Sequence, residues 1–204
     1  MGDWQKRQQD FGDAADWLLR IVGHVGGRWA EPALGEWDVR SLVGHTSRAL
    51  LTVESYLAQP PEAIEVHSAA HYYHRARELA DVPGVAERGV AAGAALGDDP
   101  AAAVVAIADR VVPLVLASTG DELLTSIVGG IRLTDYLPTR TFELVVHTCD
   151  LAAALGIPVV PPPGPAADAL GLLVEIAAAE PESAGDLLLA LTGRRPLPPG
   201  FSLL

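Results

Sequence analysis

The stretch TRTFELVVHTCDLAAALG (residues 139–156) reads as a helix that is apolar on nearly every side, yet it carries Arg140, Glu143, His147 and Asp150 along one line. Spacings of three and four return to one face of an α-helix, where side chains four apart have β-carbons roughly 6 Å from each other. Glu143 and His147 can therefore present a carboxylate and an imidazole to one point. Phe142, Leu144, Val145, Val146, Cys149, Leu151 and Ala152 fill the other directions, the pattern of a helix enclosed by neighbours. From spacing alone, the polar line is equally well a solvated stripe or a pair of ligands inside the protein.

Upstream, the periodicity predicts three more long helices. Residues 3–25 place Phe11, Ala14, Leu18 and Ile21 at helical spacing before the breaker GGRWAEPALGEW. A second helix begins behind the N-cap Asp38, carries Leu42, Ala49, Val53 and Tyr56 on one face, and stops at Pro60-Pro61. A third begins behind Asp99 with Pro100 in its first turn. Between the second and third, HSAAHYYHRARELADV and PGVAERGVAAGAAL read as a helix and its continuation, interrupted at Pro83-Gly84. DELLTSIVGGIRLTDY is a short hairpin or an extended crossover. The fourth helix ends near Gly156, and IPVVPPPGP is a stiff linker to one or two shorter helices. The expectation is an all-α protein: an antiparallel four-helix bundle over residues 1–157, then a linker and a short, mainly helical C-terminal extension, 158–204, packed on the bundle.

Composition agrees with close-packed helices. Half of the 204 residues are hydrophobic but only 5% are aromatic, so alanine, leucine, valine and glycine carry the core. A formal charge of −12 argues against nucleic-acid binding by a basic surface. One cysteine, Cys149, excludes an intramolecular disulfide and a C-x-x-C zinc site, and fits a reducing, cytoplasmic setting. The polar N-terminus lacks a signal-peptide core, and Lys6 stands where a myristoylation signal needs Ser or Thr. No apolar run is expected to reach membrane-spanning length before Asp, Pro or Gly breaks it. Partners are accordingly small molecules, with no nucleic acid and no membrane; a homodimer is compatible with the sequence.

A second polar residue interrupts an apolar face at His45, three residues after Leu42 and four before Ala49. A lone histidine there is ordinarily a satisfied core residue. If the second and fourth helices pack together, it completes a His-Glu-His set with Glu143 and His147. Two imidazoles and a carboxylate form a three-ligand zinc site with a position left for water or substrate. The same donors suit iron or nickel. Asp150 is placed to orient a ligating imidazole from behind.

At this point the residues resemble a family. EWDVRSLVGHTSRAL (residues 36–50) resembles the "gWtvrdLlaH" helix of the mycothiol-dependent maleylpyruvate isomerase N-terminal domain. RTFELVVHTCDLAAALG (residues 140–156) is similar to the same family's R-x-x-E-x-x-x-H-x-x-D-L-x-x-A-x-G signature. The family belongs to the DinB-like metal-binding superfamily, whose fold is an antiparallel four-helix bundle. The resemblance covers about residues 5–157, and LLLALTGRR (residues 187–195) also resembles a segment near the end of many related actinobacterial chains. It implies that His45, Glu143 and His147 hold a divalent metal, zinc above all, and that the centre serves a low-molecular-weight thiol, mycothiol or a related one. The implied activity is a metal-dependent, thiol-using transferase or isomerase acting on a small electrophilic metabolite. The alternatives are a non-catalytic bundle that binds a small ligand or partner, and a metal-dependent hydrolase. The segment after the linker is too short and helix-rich for the parent enzyme's α/β C-terminal domain, an expectation against maleylpyruvate isomerisation itself.

Other side chains weigh less. Arg140 and Arg132 can pair with carboxylates of a thiol cofactor or substrate; Arg140 is the candidate cofactor-binding residue, whereas Arg132 reads as an ordinary surface charge. His67, His71 and His74 form a helical histidine row with no obvious carboxylate to complete a second metal site. Tyr72 and Tyr73 beside them serve equally for packing or for substrate contact. Cys149 points away from the ligand line and reads as a small core residue. GVAAGAALG lies in alanine-rich helical sequence, so it is no phosphate loop, and Ser118 and Ser126 lack a nucleophile-elbow context.

Overall fold

In a computed structural model that describes residues 2–79 and 82–204, the chain folds into eight helices and two small hairpins among those residues. In chain order they are α1 (Asp3–Val22), β1 (Pro32–Leu34), β2 (Trp37–Asp38), α2 (Val39–Leu57), α3 (Ala69–Glu78), α4 (Val82–Ala95), α5 (Pro100–Ala117), β3 (Leu123–Ser126), β4 (Gly129–Arg132), α6 (Leu133–Ala154), α7 (Pro163–Ala178) and α8 (Pro181–Leu191). The protein is all-α.

Helices α1 and α2 each pack against both α5 and α6, so they occupy opposite corners of a four-helix bundle. The two candidate ligand helices, α2 and α6, are therefore neighbours. The local signals work as their chemistry dictates. Asp38 accepts a hydrogen bond from the Ser41 amide (2.7 Å) and opens α2; Asp99 does the same for Ala102 (3.0 Å) and opens α5 behind Pro100. Leu42, Leu50 and Val53 of α2 meet Phe11 and Leu18 of α1, Val104 and Val111 of α5, and Leu137 and Leu144 of α6 in one core, all fully buried. Each such side chain contributes about 1.5–3 kcal/mol through burial.

Helix α6 is the centre of the molecule, touching α1, α2, α3 and α7, which explains an apolar surface nearly all round. It starts at Leu133, with Pro138 inside it. Proline has no N–H, so the Thr134 carbonyl loses its helical donor; the Arg7 guanidinium reaches across from α1 to supply one. Residues 123–132 form the hairpin alternative of the sequence reading, with Ser126 paired to Gly129 at its turn.

Two expectations need correction. The predicted break at Pro83-Gly84 falls inside the first turn of α4, where proline is tolerated. And α5 is long and apolar enough to cross a membrane, with a mean hydropathy of 1.8, against the expectation that no run reaches that length. Its Val104, Ala108, Val111 and Val115 line the bundle core, and its Arg110 forms a two-pronged ion pair with Glu54 of α2, as a bundle helix does.

Helix α4 crosses α2 with backbones almost touching. A β-carbon on Gly44 would lie 2.2 Å from the Gly93 amide nitrogen. Arg40 of α2 then donates to the Gly93 and Gly97 carbonyls at the C-terminal end of α4. Beyond α6, α7 packs on α1, α3 and α6, and α8 packs on α7. Gly164 lets the first turn of α7 close onto the buried Asp10 of α1, whose carboxylate lies 2.3 Å from where a β-carbon would stand.

Candidate metal centre

Where α2 and α6 face each other, His45, Glu143 and His147 each offer one ligand atom, and these atoms all lie within 4.8 Å of one another. All three residues are half-buried, so the polar line on α6 is no solvated stripe. Among the described residues this is the one group of three or more His, Cys, Asp or Glu side chains brought to such a distance.

Each donor is held differently. His147 Nδ1 faces Asp150 Oδ2 at 3.1 Å, one turn along α6, while its Nε2 faces Glu143 Oε2 at 3.2 Å. Glu143 Oε1 accepts a hydrogen bond from the Tyr73 hydroxyl of α3 (2.7 Å), which leaves Oε2 for the shared centre. Burial, then the Glu143 charge, push the Tyr73 phenol well above its ordinary range, so it stays a donor. The His45 ring stands edge-on to His147, with centroids 4.8 Å apart, and its buried Nδ1 has no hydrogen-bond partner.

The electrostatics favour a cation at the centre. Burial, and secondarily His147, lower His45 to about 4, so it is a neutral imidazole with a lone pair to give. Burial works to raise the Glu143 carboxyl, but the hydrogen bond from His147 and the Arg140 charge hold it down at about 2. Burial likewise works to lower His147, yet its bonds to Asp150 and Glu143 raise it to about 9. Without metal, a proton sits on His147 between two carboxylates, which is the charge a divalent cation would replace. An unpartnered imidazole nitrogen, a second imidazole and an ionised carboxylate at one point are a donor set that fits such an ion.

The remaining candidates separate clearly. Arg140 is buried behind Glu143; its Nε donates to Thr139 Oγ1 (3.0 Å), and its guanidinium lies over the Tyr136 and Tyr72 rings at 4.9 and 5.4 Å. It makes no ion pair among the described residues, while Arg132 is exposed at the start of α6. His67 and His71 stack at 6.1 Å without a carboxylate ligand between them, and His74 faces Arg77. Burial, then Asp150, raise the Cys149 thiol, which suits a packing residue. Tyr73 was an open choice in the sequence, because nothing in its spacing shows that α3 returns to α6.

A protein-family comparison agrees with this geometry. Residues 11–152 match the family described as the mycothiol maleylpyruvate isomerase N-terminal domain. The chain belongs to that family. The match runs from within α1 through most of α6 and so includes both helices that carry the candidate donors; the family is mycothiol-related and metal-binding. Searches of curated proteins and of solved structures give no significant match.

Proposed function

We propose that this family member is a metal-dependent, thiol-using transferase or isomerase for a small electrophilic metabolite. His45, Glu143 and His147 hold a divalent metal, zinc above all, and the thiol is mycothiol or a close relative. The observation that carries the reading is the convergence of one imidazole from α2 with a carboxylate and an imidazole from α6. When bound, such a cation lowers the pKa of a coordinated thiol and so makes it nucleophilic at neutral pH.

The chain's own residues supply the rest. Asp150 orients His147 through Nδ1, and Tyr73 fixes the Glu143 carboxylate. Arg140, cationic and without an ion-paired carboxylate among the described residues, provides positive charge for an anionic group of the thiol or its substrate. A reducing, cytoplasmic setting accords with a thiol cofactor and a single cysteine.

The test begins with metal analysis of protein purified without chelators. Mycothiol is then added to the loaded protein, and a panel of electrophiles is assayed for thiol-dependent turnover. Stoichiometric metal, thermal stabilisation by mycothiol and turnover are the expected results. Metal retained unchanged in His147→Ala would sink the site. Binding without turnover would make the protein a ligand-binding bundle, and thiol-independent ester or amide hydrolysis would make it a hydrolase.

A further inference from the structure

His45 lacks the kind of support that the other two donors have. Asp150 steers His147 and Tyr73 steers Glu143, each through a hydrogen bond, whereas no hydrogen bond from the described residues holds the His45 ring. A half-buried imidazole with no hydrogen bond would normally be free to turn about its side-chain torsions. What touches it is Trp37 of β2, whose ring centroid lies 4.6 Å from that of His45 with the planes tilted by 36°.

Trp37 is itself tightly placed. It is 8% exposed, and its Nε1 donates to the Ala86 carbonyl of α4 at 3.0 Å. One turn further along α4, Gly89 lies directly against the indole: a β-carbon there would sit 2.4 Å from Cε2 and 2.5 Å from Cζ2. A β-carbon essentially never approaches another side chain within 3 Å, so any side chain at 89 must displace the indole or lift α4. Lifting is resisted by the Gly44–Gly93 backbone contact, so the indole is the part that gives.

We propose that Trp37, locked by Ala86 and Gly89 of α4, is the positioning residue that fixes the His45 ring for metal binding. It does by ring contact what Asp150 does for His147 by hydrogen bonding. The inference rests on reading His45, Glu143 and His147 as metal ligands, and it adds α4, which provides no donor, to the machinery of the site.

The test compares wild type, Trp37→Phe, Trp37→Leu, Gly89→Ala and the Trp37→Leu/Gly89→Ala double variant. Three quantities are read: zinc affinity by chelator competition, the visible spectrum of the cobalt(II)-loaded protein, and the thermal midpoint of the metal-free protein. Trp37→Leu should weaken zinc about 10- to 100-fold, the usual cost of losing an outer support, with the cobalt spectrum altered. Trp37→Phe, which keeps an aromatic face on His45, should recover most of that affinity. Gly89→Ala should weaken zinc although it touches no donor, and should add nothing in the Trp37→Leu background.

That loss of additivity is the decisive readout, because general destabilisation would act equally in both backgrounds. Wild-type affinity in Trp37→Leu, or a full Gly89→Ala effect in the absence of Trp37, overturns the positioning role while leaving the metal site intact. A wild-type protein that takes up no metal overturns the site reading and this role together.

Discussion

The two helices that build the centre hold their donors by opposite means. Helix α6 uses polar contacts: Asp150 on His147 and Tyr73 on Glu143, each at about hydrogen-bond distance. Helix α2 uses shape: His45 is laid against Trp37, and Trp37 against a glycine. A hydrogen bond fixes a direction and shifts the charge balance of the group it serves, making His147 more basic and Glu143 less so, whereas a neighbouring ring fixes a plane and forms no such bond. The two imidazoles also differ in charge: the bonds to Asp150 and Glu143 outweigh burial and raise His147 to about 9, while burial, then the His147 charge, lower His45 to about 4. One site thus combines a donor that carries a proton in the absence of metal with one that is already neutral.

The comparison breaks most simply if the two kinds of donor are not equivalent as ligands. His45→Ala, Glu143→Gln and His147→Ala should each lower metal affinity by well over the hundredfold typical of an outer support, by similar amounts, in chelator-competition titrations. A His45→Ala protein with nearly normal affinity would demote α2 to a bystander. Asp150→Asn comes next: about 10- to 100-fold weaker metal, together with a fall in the metal-free pKa of His147 followed by histidine NMR. Tyr73→Phe should be milder, removing one hydrogen bond to a charged group at a cost of about 1.5–3 kcal/mol in the stability of the metal-free protein, read by denaturant unfolding.

The smallest effect sharpens the contrast best. At pH 7.5, metal uptake should release about one proton, from His147 and none from His45, measurable by calorimetry in buffers of different ionisation enthalpy. Affinity should therefore climb as pH rises toward 9. Metal-free stability should move the other way. The His147 pKa is raised above its unfolded value of about 6.5, so its stabilisation is complete below that pH and is lost as pH rises through about 9.

Much of this was readable before any coordinates. Helices announced by a side-chain cap, such as α2 behind Asp38 and α5 behind Asp99, begin where the sequence places them, because cap and helix are neighbours in the chain. The His-Glu-His set was readable for a mixed reason: i, i+4 spacing pairs Glu143 with His147, the apolar face of the second helix offers His45, and the family resemblance favours it as a ligand over a satisfied core histidine. What escaped depends on contacts between distant segments. Pro138 looks like a helix stop until Arg7 is seen to satisfy the carbonyl it frees. Tyr73 becomes a support for Glu143 only when α3 folds back on α6. Trp37 lies within the matched motif, yet no spacing rule says that a strand residue eight positions earlier will cover the histidine.

The glycine pair at the crossing of α2 and α4 restricts which sequences this fold can accept. Gly44 immediately precedes His45, and a methyl group at either Gly44 or Gly93 would collide with the backbone of the other helix, at 2.2 and 2.8 Å. Side chains at an ordinary helix interface can repack around a substitution; two peptide planes in contact cannot. The depth at which α2 presents its imidazole is thus set by main-chain atoms, which are the same whatever the sequence. Evolution or design can therefore vary the surrounding alanines, valines and leucines widely without changing that depth, provided that positions 44 and 93 stay empty.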